Sequence, residues 1–293
     1  EIVADPWFLG RSADELASKL RALATESGLD EGRLRGAIAG YPGRFPWSRS
    51  IEQYETLLLD LCLESVASVL VDVSNAVRDP ANSGVIRVTR RLGRELQDVV
   101  KPIFVLWDAQ LAAYVLPTAS EWELLSAYNG PRCQDPGLRS LDHRRTPLAD
   151  LLNGLSRRPR WLLLTETIME ERGRQVRDYA HRHGLKVAAV FYDAIPVLYP
   201  ELVWDSEIRA NHAAYMHGLA EADLVLPISD YSAGCLRQFW AERELTPPAI
   251  ASCLLPGEFG GRQRATTASP PPDREVRILC VSTLEPRKNH KVL

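Results

Sequence analysis

Short apolar runs alternate with amphipathic segments through most of the chain. Five runs rich in Val, Leu, Ile and Phe span residues 67–74, 102–108, 160–167, 186–193 and 222–229. The segments between them carry apolar residues at helical spacing, as in residues 85–99, 170–184 and 206–222. Apolar strands without strict alternation, interleaved with amphipathic helices, are typical of a parallel sheet covered on both faces. The pattern therefore predicts an α/β domain built on a doubly wound parallel sheet.

The same pattern divides the chain into four parts. Residues 1–64 have helical spacing of Leu and predict a helical extension. Residues 65–255 hold the predicted Rossmann-like domain, and residues 256–275 are rich in Gly, Pro, Ser and Thr, which predicts an exposed linker. Residues 276–293 then begin a second strand–loop–helix unit. We expect this last part to be the start of a second, truncated Rossmann-like domain.

Composition narrows the possible partners and cofactors. The 293 residues are 45% hydrophobic and carry a formal net charge of −3, which disfavours non-specific binding of nucleic acid. Five cysteines occur without any C-x-x-C pair, so reduced thiols and a cytoplasmic protein are expected. No Asp-x-Asp and no His/Asp cluster has the spacing of a metal site, so no metal is expected. The glycine motifs of dinucleotide-binding and P-loop proteins are also absent from the sequence, which disfavours an NAD-dependent enzyme.

Functional residues are expected directly after the predicted strands, because open parallel sheets bind ligands beyond the carboxyl ends of their strands. After the first strand, Gly84 permits close approach of a ligand, and Ser83 or Asn82 can cap the following helix, whose N-terminus attracts anions. The alternative is an ordinary capped helix with a solvated basic face that includes Arg87 and Arg90. This loop is therefore a candidate anion site.

Two further segments carry candidate residues. Tyr192 and Asp193 end the fourth predicted strand, where a tyrosine suits a sugar and a carboxylate needs hydrogen-bond donors; alternatively, Asp193 only caps a neighbouring loop. Arg287 and Lys288 follow the last apolar run and suit a diphosphate, although a solvated surface pair is the alternative.

Four segments in order carry a family resemblance. The segment VDVSNAVRDPANSGVIRVTRRLGREL is similar to the glycine loop and first helix of family-four glycosyltransferases, which have the GT-B fold. FYDAIPVLYPE and ADLVLPISDYSAGCL resemble the middle signature of the same family, and ILCVSTLEPRKNH resembles the opening of its donor-binding domain. Many relatives have a histidine at the position of Tyr192.

The resemblance implies a retaining transfer of a sugar, most often of the mannose or rhamnose type, from a nucleotide-diphosphate sugar to a glycan or glycolipid hydroxyl. It implies that Gly84, Ser83, Arg287 and Lys288 bind the donor. Tyr192 and Asp193 would lie on the acceptor side, with Asp193 as the candidate catalytic residue. It implies no metal and a role in polysaccharide biosynthesis in the cytoplasm, with contact at the inner face of the membrane left open.

Two expectations concern the extent of the chain and the alternative class. The glutamate pair that holds the donor in this family would lie beyond Leu293, so we expect the 293-residue chain alone to be inactive or nearly so. The alternative function is a non-catalytic module, derived from one half of a GT-B protein, that binds a glycan or a partner protein.

Overall fold

A computed structural model of the protein describes residues 68–155, 159–203 and 205–255, together with Lys288. Within these ranges the fold is α/β, with one seven-stranded sheet. The strands are β1 Ser68–Asp72, β2 Lys101–Asp108, β3 Ala113–Val115, β4 Trp161–Leu164, β5 Lys186–Phe191, β6 Leu224–Pro227 and β7 Ala249–Ile250. The predicted helical extension 1–64, the linker 256–275 and the second unit 276–293, apart from Lys288, lie outside the described residues.

Seven α-helices connect or follow the strands in the described ranges. They are α1 Gly84–Leu96, α2 Ala119–Ser126, α3 Leu148–Gly154, α4 Glu170–Arg182, α5 Ile195–Leu198, α6 Ser206–Gly218 and α7 Asp230–Ala241. Short 3-10 turns occupy Ala127–Asn129, Pro136–Leu138, Pro200–Leu202 and Leu219–Glu221. No helix among the described residues is long and apolar enough to cross a membrane.

The strand order is β3-β2-β1-β4-β5-β6-β7. All neighbouring strands are parallel except the β2–β3 pair, which is antiparallel. The chain adds β2 on one side of β1 and then crosses to add β4 on the other side. This reversal is a topological switch point, the place at the carboxyl edge where open parallel sheets usually bind their ligands. The parallel, Rossmann-like arrangement predicted for this part of the chain is confirmed.

The core has two layers because successive residues of a strand point to opposite faces. Val69 and Val71 of β1 pack with α1 and α2 on one face. Leu70 packs on the other face with α3, α4, α6 and α7. Both faces of the central strands are therefore covered, and their polar chemistry is confined to the strand ends.

Candidate functional site

The switch point brings a buried carboxylate to the end of β1. Asp72 has no exposed surface. Its oxygens accept hydrogen bonds from the Tyr114 hydroxyl at 2.6 Å, the Ser74 hydroxyl at 2.6 Å and Nη2 of Arg172 at 2.8 Å. A buried charge is tolerated only when it is paired and hydrogen-bonded, as here. Burial, the charge of Asp72 and the hydrogen bond to it raise the pKa of Tyr114 well above its usual value, so this hydroxyl stays a donor.

A second buried carboxylate follows β4. Glu166 is 1% exposed and accepts the backbone N–H of Asn75 at 2.7 Å and that of Ala76 at 2.8 Å. Burial and the charge of Asp72 raise the pKa of Glu166 to about 8, although the two N–H donors and Arg172 oppose the rise. Glu166 therefore holds the start of the β1–α1 loop (residues 73–83).

The end of the β1–α1 loop is held by a buried cation. Arg90, on helix α1, is 1% exposed. Its guanidinium donates to the carbonyl oxygens of Ala76, Asp79 and Ala81 at 3.0–3.2 Å, and to Oδ1 of Asn82 at 3.3 Å. Arg90 is thus not on the solvated helix face expected from the sequence. It is buried because the loop folds over it and presents carbonyl groups that need donors.

The anchored loop leads into an open helix N-terminus. Ser83 is the N-cap of α1, and its hydroxyl accepts the N–H of Ile86 at 3.5 Å. Gly84 is the first helical residue and is exposed. A Cβ added to Gly84 would meet no atom within 4 Å. Packing therefore does not require a glycine at this position, and the role of Gly84 in ligand binding stays a prediction.

The loop after β5 is built differently from its prediction. Tyr192 is buried, and its hydroxyl donates to the carbonyl oxygen of Thr165 at 2.6 Å, which ties the ends of β5 and β4 together. Its ring is therefore packed in the core and is not an exposed sugar platform. Asp193 is half-buried, and its Oδ1 accepts the N–H of Ile195 at 3.0 Å, as in the capping alternative. Nε2 of His212 lies 2.8 Å from the carbonyl oxygen of Asp193 and orients the same turn.

The candidate residues thus fall into two groups along one edge. Ser83 and Gly84 lie after β1, while Tyr192 and Asp193 lie after β5, two strands away, or about 10 Å at the usual strand spacing. Lys288 is exposed. Arg287 lies outside the described residues, so the predicted diphosphate contact of this pair stays a prediction.

Sequence reasoning missed Asp72, Glu166, Arg90 and Arg172. A signal existed for the two carboxylates, because each directly follows or ends an apolar run, just as Asp193 does. No comparable signal existed for the arginines, since their helical spacing alone assigns them to a polar face. Within the described ranges, no group of three or more His, Cys, Asp or Glu side chains could hold a metal ion.

Comparison of the chain with known protein families and with curated proteins finds no match. The structure shows the class only: an α/β protein with a seven-stranded, mostly parallel sheet in the described residues.

Proposed function

We propose that the protein is a retaining glycosyltransferase of the GT-B type and that the described domain is its acceptor-side half. The substrate would be a nucleotide-diphosphate sugar, with mannose or rhamnose as the transferred sugar and a glycan or glycolipid hydroxyl as the acceptor. The proposal combines the four resembling segments with the Rossmann-like sheet that contains three of them.

The observation that carries the proposal is the open first turn of α1 at the switch point. Its N–H groups and the helix dipole favour a negative charge. Glu166 and Arg90 hold the preceding loop by its own N–H and carbonyl groups, so little ordering is needed when a ligand binds. A preorganised set of donors is what a departing diphosphate requires, because charge accumulates on it as the sugar–phosphate bond breaks.

Each candidate residue then has a role in this reaction. The backbone at Ser83 and Gly84 faces the donor phosphates, and Arg287 and Lys288 supply cations in place of a metal. Oδ1 of Asp193 is occupied by the N–H of Ile195, so we assign its second oxygen to the acceptor hydroxyl. Tyr192 acts as a positioning residue, since its hydroxyl anchors the turn that carries Asp193.

A substitution at Gly84 tests the proposal. Gly84→Leu places a side chain where the diphosphate would lie, and the open surroundings predict that the variant still folds. With full-length protein, we expect the affinity for a nucleotide-diphosphate sugar, measured by thermal shift over a panel of donors, to fall at least about tenfold. Transfer of radiolabelled sugar to a glycan acceptor should fall with it.

Gly234→Leu is the matched control for donor binding. Gly234 lies in helix α7, and a Cβ there also meets no atom within 4 Å. This variant should bind the donor like the wild type. Equal donor binding by Gly84→Leu and the wild type would refute the site. A full-length protein that binds glycan but transfers sugar from no donor would be the non-catalytic module instead.

A further inference from the structure

A second cleft lies at the carboxyl edge, beside the loops that follow β5 and β6. It has a volume of about 560 Å³ and lies between the end of α5 and the first turns of α7. The residues that line the cleft include Leu198, Tyr199, Asp230, Tyr231, Gly234 and Gln238. None of these residues was assigned a role by the candidate donor site.

Two exposed tyrosines line this cleft, Tyr199 at the end of α5 and Tyr231 in the first turn of α7. Tyr199 is 41% exposed and Tyr231 is 65% exposed, so both rings present apolar surface to solvent. Their hydroxyl oxygens lie 3.4 Å apart. The hydrogen bond with Tyr199 contributes most to raising the pKa of Tyr231 to about 12, so the Tyr231 hydroxyl keeps its proton. Rings that are apolar on the face and polar at the tip match the two kinds of surface on a sugar ring.

At Gly234, no side chain projects from helix α7 into the cleft. Gly234 lies inside α7, where glycine stabilises a helix less than alanine does. Packing does not require it, because a Cβ there would meet no atom within 4 Å. The missing side chain keeps the cleft open and allows a ligand to lie against the helix backbone.

The polar groups of the cleft favour a neutral ligand with many hydroxyls. Asp230 offers a carboxylate in the first turn of α7. Eight residues further on, about 12 Å along the axis, Nε2 of Gln238 donates to Glu242 at 2.9 Å, which leaves the Gln238 carbonyl oxygen as an acceptor. An anionic ligand would be repelled by Asp230. An apolar one would leave the carboxylate and the tyrosine hydroxyls without partners, which is costly.

We infer that the Tyr199–Tyr231 cleft binds a neutral oligosaccharide and is a subsite for the acceptor glycan. Tyr199 belongs to the same loop as Asp193, so the bound glycan would extend from the candidate acceptor position along α7. The role as an acceptor subsite rests on the proposed glycosyltransferase function. Binding of a saccharide in this cleft does not, because it needs no donor.

Saccharide binding is tested by titrating full-length protein with mannotriose, maltotriose and cellotriose, using saturation-transfer NMR and no nucleotide. We expect saturable binding of at least one neutral trisaccharide. Tyr231→Ala and Gly234→Leu should weaken it at least about tenfold, because the first removes a ring and the second fills the cleft. Trigalacturonate, an anionic trisaccharide, should bind at least about tenfold more weakly than the best neutral one.

Three control variants keep the test specific. Leu141→Ala removes another exposed apolar side chain, 63% exposed, outside the cleft and should bind like the wild type. Gly84→Leu places the same side chain at another glycine where an added Cβ meets no atom within 4 Å, outside the cleft, and should also bind the saccharide normally. Gly234→Ala should raise the melting temperature by about 2 °C, which shows that α7 tolerates a side chain there.

The outcomes separate this inference from the proposed function. Absence of binding by all three neutral trisaccharides, or unchanged binding by both Tyr231→Ala and Gly234→Leu, would overturn the subsite. Normal saccharide binding without sugar transfer from any donor would refute the glycosyltransferase and leave the subsite in place.

Discussion

Arg90 and Glu166 hold the β1–α1 loop in complementary ways, one as a hydrogen-bond donor and the other as an acceptor. Glu166 accepts N–H groups at the start of the loop, and Arg90 donates to carbonyl groups along the rest of it. Backbone groups that a loop removes from water need partners, and hydrogen bonds from a charged donor such as the Arg90 guanidinium are the stronger kind. Two side chains from outside the loop therefore supply its backbone with the hydrogen-bond partners that a helix or a strand finds in its own or a neighbouring backbone.

We expect Arg90→Met to lower the free energy of unfolding by about 2–4 kcal/mol, because the carbonyl oxygens of Ala76, Asp79 and Ala81 lose the buried guanidinium that they share as a donor. Chemical denaturation measures the change. Arg87→Met is the matched control, since Arg87 is exposed on the same helix, and it should change stability by no more than about 0.5 kcal/mol. Equal effects of the two substitutions would mean that the Arg90 contacts contribute little.

Glu166 should make stability depend on pH. Burial and the charge of Asp72 raise its folded pKa to about 8 from the usual 4.5, so its contribution is greatest below about pH 4.5 and is lost as the pH rises toward 8. Glu166→Gln cannot ionise. We expect the wild type to lose about 1–3 kcal/mol relative to this variant between pH 5 and pH 8. Urea unfolding of both proteins across this range measures the difference, and parallel profiles would contradict it.

At the scale of elements, α1 and β2 approach closely at one glycine. A Cβ on Gly93 would lie 2.9 Å from Cε1 of Phe104. Phe104 cannot easily move away, because its ring packs edge-on against Trp122 with centroids 5.3 Å apart. The glycine therefore sets the distance between the helix and the sheet, and with it the position of the α1 N-terminus.

Gly93→Ala should accordingly destabilise the fold by about 1–3 kcal/mol through overpacking. Gly234→Ala, in the open interior of α7, should instead stabilise it by up to about 1 kcal/mol. Thermal unfolding of both variants tests the contrast in sign. A stabilising Gly93→Ala would show that the contact with Phe104 relaxes freely.

Long, buried strands could be predicted from the sequence, whereas very short strands could not. The apolar run at 186–193 and the strand Lys186–Phe191 coincide closely, because every residue of that strand after the first is buried. The strands Ala113–Val115 and Ala249–Ile250 were not predicted. Each has only two or three residues and exists through pairing with a distant strand, so no local pattern marks it.

At the scale of the molecule, strand order places the two candidate regions on one edge. The open turn at Gly84 follows β1, and the Tyr199–Tyr231 cleft borders the loops after β5 and β6. The loops lie on the same side of the sheet, since β1, β5 and β6 all run in the same direction.

The α/β class, the parallel strands and the glycine at the start of α1 could be read from the sequence alone, because they depend on local periodicity and on the backbone freedom of one residue. The burial of Arg90, the hydrogen bond from the Tyr192 hydroxyl to Thr165, and the cleft shared by Tyr199 and Tyr231 emerged only from the folded structure. Each of these facts depends on a partner that the sequence pattern does not reveal, either far along the chain or across a loop that folds back. Periodicity states which face of an element is apolar but not what will cover it.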